Sequence, residues 1–338
     1  MSELNQTALK IVSNDKGILA ADESNPSMIK KFDSINVKSN PENRLNYREI
    51  LFSADGMKNY IGGVILFDET IKQITSSGTS IPDLIQNSGT IIGIKVDMGL
   101  KEHPDSSEEK VTEGLEGLKE RLEEYYKMGA RFTKWRALLN ISEKYPSEIA
   151  IQSNANTLAK YAALVQESNM VPIVEPEVLM DGDHDINKCY QVTAKVLTAC
   201  YAELKLHNVD LKGTLLKPNM VLPGTLSQNR NSTEEIAKMT LKCLKENVPS
   251  EVPGIAFLSG GQSEIEATRN LNEINKINDT NFVFTFSYGR ALQQSALKYW
   301  GKNQEDITNT QNIFNHRAKM NSLSTSGSWT EDLDKIIN

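Results

Sequence analysis

Short apolar runs alternate along this chain with longer stretches in which apolar positions recur every three or four residues. The runs at 17–21, 63–67, 91–96, 131–135, 171–175, 214–217, 254–259 and 282–287 read as eight buried strands. Between them, Val111, Leu115, Leu118, Leu122 and Tyr125 keep a helical spacing, with Gly129 placed as a stop. Residues 185–207 repeat that pattern on a longer scale. Two later helices open with S-x-x-E signatures, Ser232 with Glu235 and Ser263 with Glu266, which fit capping boxes. Strands alternating with helices predict parallel βαβ units, and a count of eight favours a closed (β/α)8 TIM barrel, an α/β fold, as one domain over 1–338. An open doubly wound sheet is the alternative, but no G-x-G-x-x-G follows the first run. No linker, repeat or low-complexity tract interrupts the alternation. Only the tail from about 321 to 338, rich in Ser and Thr, reads as flexible.

Length and composition agree with that picture. A chain of 338 residues is long for an ordinary domain yet suits an α/β barrel, where roughly 250 residues is typical and insertions extend the range. With 39% apolar and 24% charged residues it has the makings of a globular protein with a sizeable core. A net charge of −7 argues against nucleic acid as the main partner, while leaving room for a local basic pocket that takes a small anion. Cys189, Cys200 and Cys243 are scattered and free of C-x-x-C spacing, which points to a reducing compartment and no metal framework. The first residues hold no basic region followed by an apolar run, and no apolar stretch is long enough for a bilayer, so the expected location is cytoplasmic with no membrane partner.

In barrels of this kind the chemistry sits at the C-terminal ends of the strands. Here those ends read Asp22; Asp68-Glu69; Lys95-Val96-Asp97; Lys134-Trp135-Arg136; Glu175-Pro176-Glu177; Lys217; Ser259-Gly260-Gly261; and Ser287-Tyr288-Gly289-Arg290. Alternation puts Phe132, Lys134 and Arg136 on one face, as it does Val171, Ile173, Glu175 and Glu177, and Leu215 with Lys217. If the apolar members of each set point into the barrel, the charges converge on its mouth.

Lys217 is the most telling of them. An ammonium at the end of a buried strand is desolvated, which lowers its pKa, and a second cation such as Lys134 would lower it further. The neutral amine that results attacks carbonyls and forms Schiff bases. The turns Ser259-Gly260-Gly261 and Gly289-Arg290 fall after strands seven and eight, where barrels often bind phosphate through backbone N–H groups and a helix start. Across the mouth, Ser24, Ser27, a helix start at Pro26 and Lys95 offer a second phosphate region, or simply a capped helix. His103, His184, His207 and His316 are dispersed. Only His184, within 181–185, stands among acids, and a loop capping the next helix explains that segment better than a metal site does.

The residues at 17–24, 61–67, 134–136, 171–177, 214–221, 257–263 and 286–292 resemble those of class I fructose-1,6-bisphosphate aldolase, from about residue 8 to about 323. That family is a metal-free, cofactor-free (β/α)8 barrel, usually a homotetramer, of glycolysis and gluconeogenesis. The resemblance implies reversible cleavage of fructose 1,6-bisphosphate to dihydroxyacetone phosphate and glyceraldehyde 3-phosphate. It gives Lys217 as the Schiff-base lysine and Glu175 as general acid/base. It also gives Asp22 as the carboxylate that engages the C4 hydroxyl, and Lys134 and Glu177 as charge partners. Arg136 is implied as a polar-pocket residue. Ser259, Gly260, Gly289 and Arg290 correspond to the C1-phosphate cradle, and Ser24, Ser27 and Lys95 to the other phosphate region. Two positions depart from the family. Lys31 stands where an arginine is common, and the chain ends in Asn338 where better-known members end in tyrosine. The preference among fructose 1,6-bisphosphate, fructose 1-phosphate and sedoheptulose bisphosphate is therefore left open, as is an added scaffold role. A scaffold without turnover predicts loss of Lys217, Glu175 or Asp22, and all three are present.

Overall fold

The computed structural model describes residues 2–13 and 15–335; Met1, Asn14 and the last residues of the expected flexible tail, 336–338, lie outside the described residues. Eight parallel strands close into a barrel: β1 (Gly17–Ala21), β2 (Ile61–Leu66), β3 (Ile91–Lys95), β4 (Phe132–Leu139), β5 (Val171–Val178), β6 (Leu215–Leu216), β7 (Gly254–Phe257) and β8 (Val283–Tyr288). Each pairs with its neighbours in sequence. The ring shuts where Ile18 and Leu19 pair with Ser287 and Tyr288. Closure rules out the doubly wound alternative, and all eight expected strands are present, the first with its expected bounds and the other seven with shifted ends.

The shifts have a cause. β4 and β5 run well past the expected ends because they pair with each other continuously from Phe132 opposite Val171 to Leu139 opposite Val178. β6 is short, yet the Lys217 N–H still donates to the Val174 carbonyl (2.8 Å), so the lysine is held in line with the ladder.

Alternation divides the apolar residues as expected. Ile18, Ala20, Ile65, Phe132, Ile173, Leu215 and Ala256 fill the barrel, while Trp135, Val174 and Leu216 face the surrounding helices. The first helix, Glu3–Val12, closes the bottom by adding Ala8, Ile11 and Val12 to the interior cluster. Gly62 is required at that contact, because a Cβ there would run into the Ile11 carbonyl oxygen.

The helices 186–206, 233–247 and 264–276 form as read, the first capped by Asp185 and the others by the two capping boxes. The helix expected from Val111 to Tyr125 is shorter. Val111 lies in an antiparallel hairpin (Leu100–His103 with Ser106–Thr112), and the helix spans only Leu118–Lys127. Thr112 bonds the Arg136 carbonyl (2.6 Å), so contact with β4 overrides the helical spacing there.

Part of the tail carries regular structure. Residues 321–325 are the last turns of a helix, Ile307–Thr325, and its serines are tied down: Ser322 to the Asp15 carbonyl and Ser324 to the Asn321 carbonyl, each at 2.7 Å. Trp329 is buried, and its indole N–H donates to Asp334 (2.7 Å), which also receives both Nη groups of buried Arg317 (2.8 and 3.0 Å). Hydroxyls that bond back to the backbone give this helix end the composition of a loop.

Candidate active site

Lys217 reaches the mouth because its strand ends in a fixed turn. Asn219, two residues on, accepts from the Val178 N–H (3.1 Å) and donates to Thr193 (3.1 Å), which pins the Lys217-Pro218-Asn219 segment against β5. The ammonium lies 3.0 Å from one oxygen of Glu175, and Lys134 lies 3.2 Å from the other. Lys134 is also 2.8 Å from Asp22. Lys217, Glu175, Lys134 and Asp22 thus form one chain of alternating charge, and at most 12% of any of these side chains is exposed.

The charges set one another's ionisation. Burial pushes the Asp22 pKa up, but Lys134, Lys217 and Lys95 overcome it and hold the carboxyl well below the usual range. Glu175 is likewise held low: burial and Asp22 raise it, and Lys134, Lys217 and Arg136 prevail. Burial would lower Lys134, yet Asp22, Glu175 and Asp97 keep it well above an ordinary lysine. Both carboxyls and Lys134 therefore stay ionised at neutral pH. The expectation of Lys134 as a bare like charge beside Lys217 gives way here. Its charge is clamped between two carboxylates, one of which is also the partner of Lys217.

One rung higher, the Arg136 guanidinium pairs with Glu177. Burial lowers its pKa, but Glu177 together with Glu175 and Asp97 outweighs that and leaves it raised. Opposite lie Ser259, Gly260, Gly289 and Arg290. Gly260 holds a left-handed turn (φ +54°), a conformation that favours glycine. Gly289 starts the helix Arg290–Lys302 with no side-chain cap on its first N–H groups, and Gly289 and Arg290 both line the mouth. Arg290 donates to the carbonyls of Gly260 (2.7 Å) and Gln262 (2.8 Å), which joins the two turns into one concave edge.

A cavity of about 510 Å³ brings ten of the predicted residues together: Asp22, Lys134, Arg136, Glu175, Glu177, Lys217, Ser259, Gly260, Gly289 and Arg290. Ser24, Ser27 and Lys95 do not line it. The two serine hydroxyls meet each other (3.2 Å), and Lys95 pairs with Asp97 (2.6 Å) while its charge still acts on Asp22. In their place Glu23 and Lys31 border the cavity as an ion pair, backed by Arg48, which donates to the Glu23 carbonyl (3.0 Å). Ser287, Met180 and Asp97 were given no role from sequence. Ser287 and Asp97 stood at strand ends and had a signal in their parity. Met180 had none.

His184 is nearly buried, and burial lowers its pKa against the pull of Asp183 and Asp185. Asp185 accepts from the Lys188 N–H (2.8 Å), the capping role expected of that segment. Among the described residues no helix is long and apolar enough to cross a membrane.

Fold and site define a (β/α)8 barrel whose C-terminal mouth joins two lysines and two ionised carboxylates in one contact chain, groups suited to carbonyl and proton-transfer chemistry. The family model for class-I fructose-bisphosphate aldolase matches residues 3–337, and the chain belongs to that family. It is similar to the cytosolic fructose-bisphosphate aldolase 4 of Arabidopsis thaliana, 51% identical over 98% of this chain and 84% of that protein. A probable class 1 aldolase of Xanthomonas campestris pv. campestris is 47% identical over 97% of this chain and 99% of its own. The solved structure of the Plasmodium falciparum aldolase, in complex with TRAP and a small-molecule inhibitor, superposes with a TM-score of 0.95. It is 45% identical and covers 97% of this chain and 95% of the other.

Proposed function

We propose that Lys217 is the imine-forming residue of this lyase and that Glu175 is its proton carrier. The reaction is the reversible aldol cleavage of fructose 1,6-bisphosphate to dihydroxyacetone phosphate and glyceraldehyde 3-phosphate, a step of glycolysis and gluconeogenesis. The observation that carries the residue assignment is the 3.0 Å contact between the Lys217 ammonium and Glu175.

A proton passes along that contact from Lys217 to Glu175, and the freed amine attacks the C2 ketone. The nitrogen of the resulting carbinolamine is neutral, so one of the two lysine charges that hold Glu175 acidic is gone. Glu175 then keeps the proton long enough to deliver it to the departing hydroxyl, which leaves as water. The protonated imine at C2 is the electron sink for breaking the C3–C4 bond. Asp22, ionised and fixed by Lys134, orients the C4 hydroxyl by accepting its hydrogen bond. Glu175, ionised again once water has left, takes the hydroxyl proton as that oxygen becomes the aldehyde of the first product, and later returns it to C3. The enamine left behind takes a proton at C3, and water releases the second product from Lys217.

Glu177 and Arg136 support this centre as a pair, and the concave edge of Ser259, Gly260, Gly289 and Arg290 takes the C1 phosphate through backbone N–H groups and a guanidinium. Lys31, at the cavity edge, serves the second phosphate, whereas Ser24, Ser27 and Lys95 of the same expected region lie outside the cavity lining. Lys31 is engaged by Glu23, so the second phosphate must compete for it, which favours a modest preference for bisphosphates over fructose 1-phosphate. A homotetramer in the cytoplasm is the assembly and location that accord with the family and with the cytosolic relative. Light scattering should give four times the monomer mass.

Borohydride reduction with dihydroxyacetone phosphate, followed by peptide mapping, tests the assignment. The adduct is expected on Lys217. An adduct on Lys134, or none together with loss of activity in EDTA, would overturn it.

A further inference from the structure

We propose that Met180 is a displaceable stopper of the C1-phosphate cradle and sets how tightly this enzyme takes a phosphate group there. The proposal rests on the reading of Ser259, Gly260, Gly289 and Arg290 as that cradle.

Met180 follows β5 by two residues, and its carbonyl accepts from the Thr225 N–H (2.7 Å), which fixes its backbone at the rim. Its thioether lies on the glycine turn and accepts the Gly261 N–H (2.8 Å). The turn is shaped for that contact. A Cβ on Gly261 would stand 2.8 Å from the sulfur, and one on Gly260 3.2 Å from it. A thioether is a weak acceptor, whereas an ionised phosphate oxygen is a strong one. Both need the same amide, so an anion entering the cradle gains that N–H only by moving the sulfur aside.

The sulfur has somewhere to go. Met180 is the wall between the active-site cavity and a second one of about 560 Å³, where Leu222, Pro223 and Ile236 offer apolar contact. Met180, Leu222, Gly261 and Gln262 border both spaces. An unbranched side chain with three rotatable bonds can pass from one to the other with the backbone still. The outcome is a reversible competition at one amide, which weakens phosphate binding and speeds its release.

The test measures inorganic phosphate as a competitive inhibitor of cleavage, together with KM for fructose 1,6-bisphosphate, in wild type and in Met180→Ala, Met180→Leu and Arg290→Ala. Releasing one weak hydrogen bond should lower the phosphate Ki and KM in Met180→Ala by about three- to tenfold. Met180→Leu keeps the bulk without the acceptor and should lower Ki by less. Structural damage would not tighten binding, so the sign of the change is diagnostic. Losing a charged donor in Arg290→Ala should raise Ki about tenfold or more. If Arg290→Ala weakens phosphate as expected while Met180→Ala leaves Ki unchanged or higher, the stopper is wrong and the cradle stands. If Arg290→Ala leaves Ki unchanged, the cradle reading itself falls.

Discussion

Replacing Lys134 with methionine removes the cation that, among the described residues, touches both Asp22 (2.8 Å) and Glu175 (3.2 Å). Methionine fills most of the space and brings no charge, so the effect is electrostatic. Two carboxylates with little exposure then face each other with less than their full compensation. Breaking a buried pair in this way typically costs about 3–5 kcal/mol. The loss depends on pH with a definite sign. Both carboxyls titrate below their ordinary values of 3.8 and 4.5 in the fold, so their ionised forms stabilise the wild type above those values. That contribution fades as pH falls through the lower folded values. Lys134 titrates above its ordinary 10.5, so its share is complete below that pH and is lost as pH rises through the folded value. Between about pH 5 and 8 the wild type keeps both contributions. In Lys134→Met the carboxyl pKa values rise, and acid relieves the uncompensated charge by protonation. The difference in urea midpoint between the two proteins should be largest near pH 8 and narrow towards pH 5. The acid limb of kcat/KM should move up by about one unit or more, each unit being worth roughly 1.4 kcal/mol, and kcat should drop about 100-fold or more as Glu175 loses its setting. A midpoint difference that stays constant or grows towards acid pH, with the acid limb unmoved, would refute Lys134 as the counter-ion that keeps both carboxyls ionised.

Other outcomes follow from the same contacts. Lys217→Met should abolish turnover and borohydride trapping while circular dichroism stays native; retained trapping would place the nucleophile elsewhere. Gly62→Ala should force the first helix away from the barrel floor and cost about 1–3 kcal/mol in urea unfolding, since the obstacle is a backbone carbonyl that cannot rotate aside. Asp334→Asn should destabilise by about 1–3 kcal/mol, because it weakens the bonds from Arg317 and Trp329 at once, and tryptophan fluorescence should report Trp329 moving into water.

The barrel and most of its mouth were legible because both depend on alternation, which a linear sequence displays directly. Phe132, Ile173 and Leu215 inside, with Lys134, Glu175 and Lys217 above them, is a statement about odd and even positions, and the structure honours it. What alternation does not carry is who pairs with whom. The sequence places Lys134 near Lys217 but is silent on Asp22 and Glu175 clamping it. Nor does any local pattern tell that Glu23 engages Lys31, or that Met180 lies over Gly261. The hairpin at 100–112 was missed for a different reason: Val111 and Leu115 keep a helical interval by chance, and a contact with β4 decides their conformation. In the tail, serines that bond to nearby carbonyls have the composition of a loop and the structure of a helix end.

The long pairing of β4 with β5 has a consequence for how this enzyme tolerates change in length. Lys134, Arg136, Glu175 and Glu177 all ride on that single ladder, with Arg136 opposite Glu175 and Leu138 opposite Glu177. Removing one residue from the loop beyond either strand leaves this arrangement alone. Removing one from within β4, between Phe132 and Lys134, would keep the backbone bonds but swing Trp135 into the mouth and turn Lys134 and Arg136 towards the helices. Single-residue deletions should therefore be lethal within β4 or β5 and tolerated in the loops beyond them, with no graded zone between. Those amides, shared between two buried strands, should also be among the last in the molecule to exchange with deuterium.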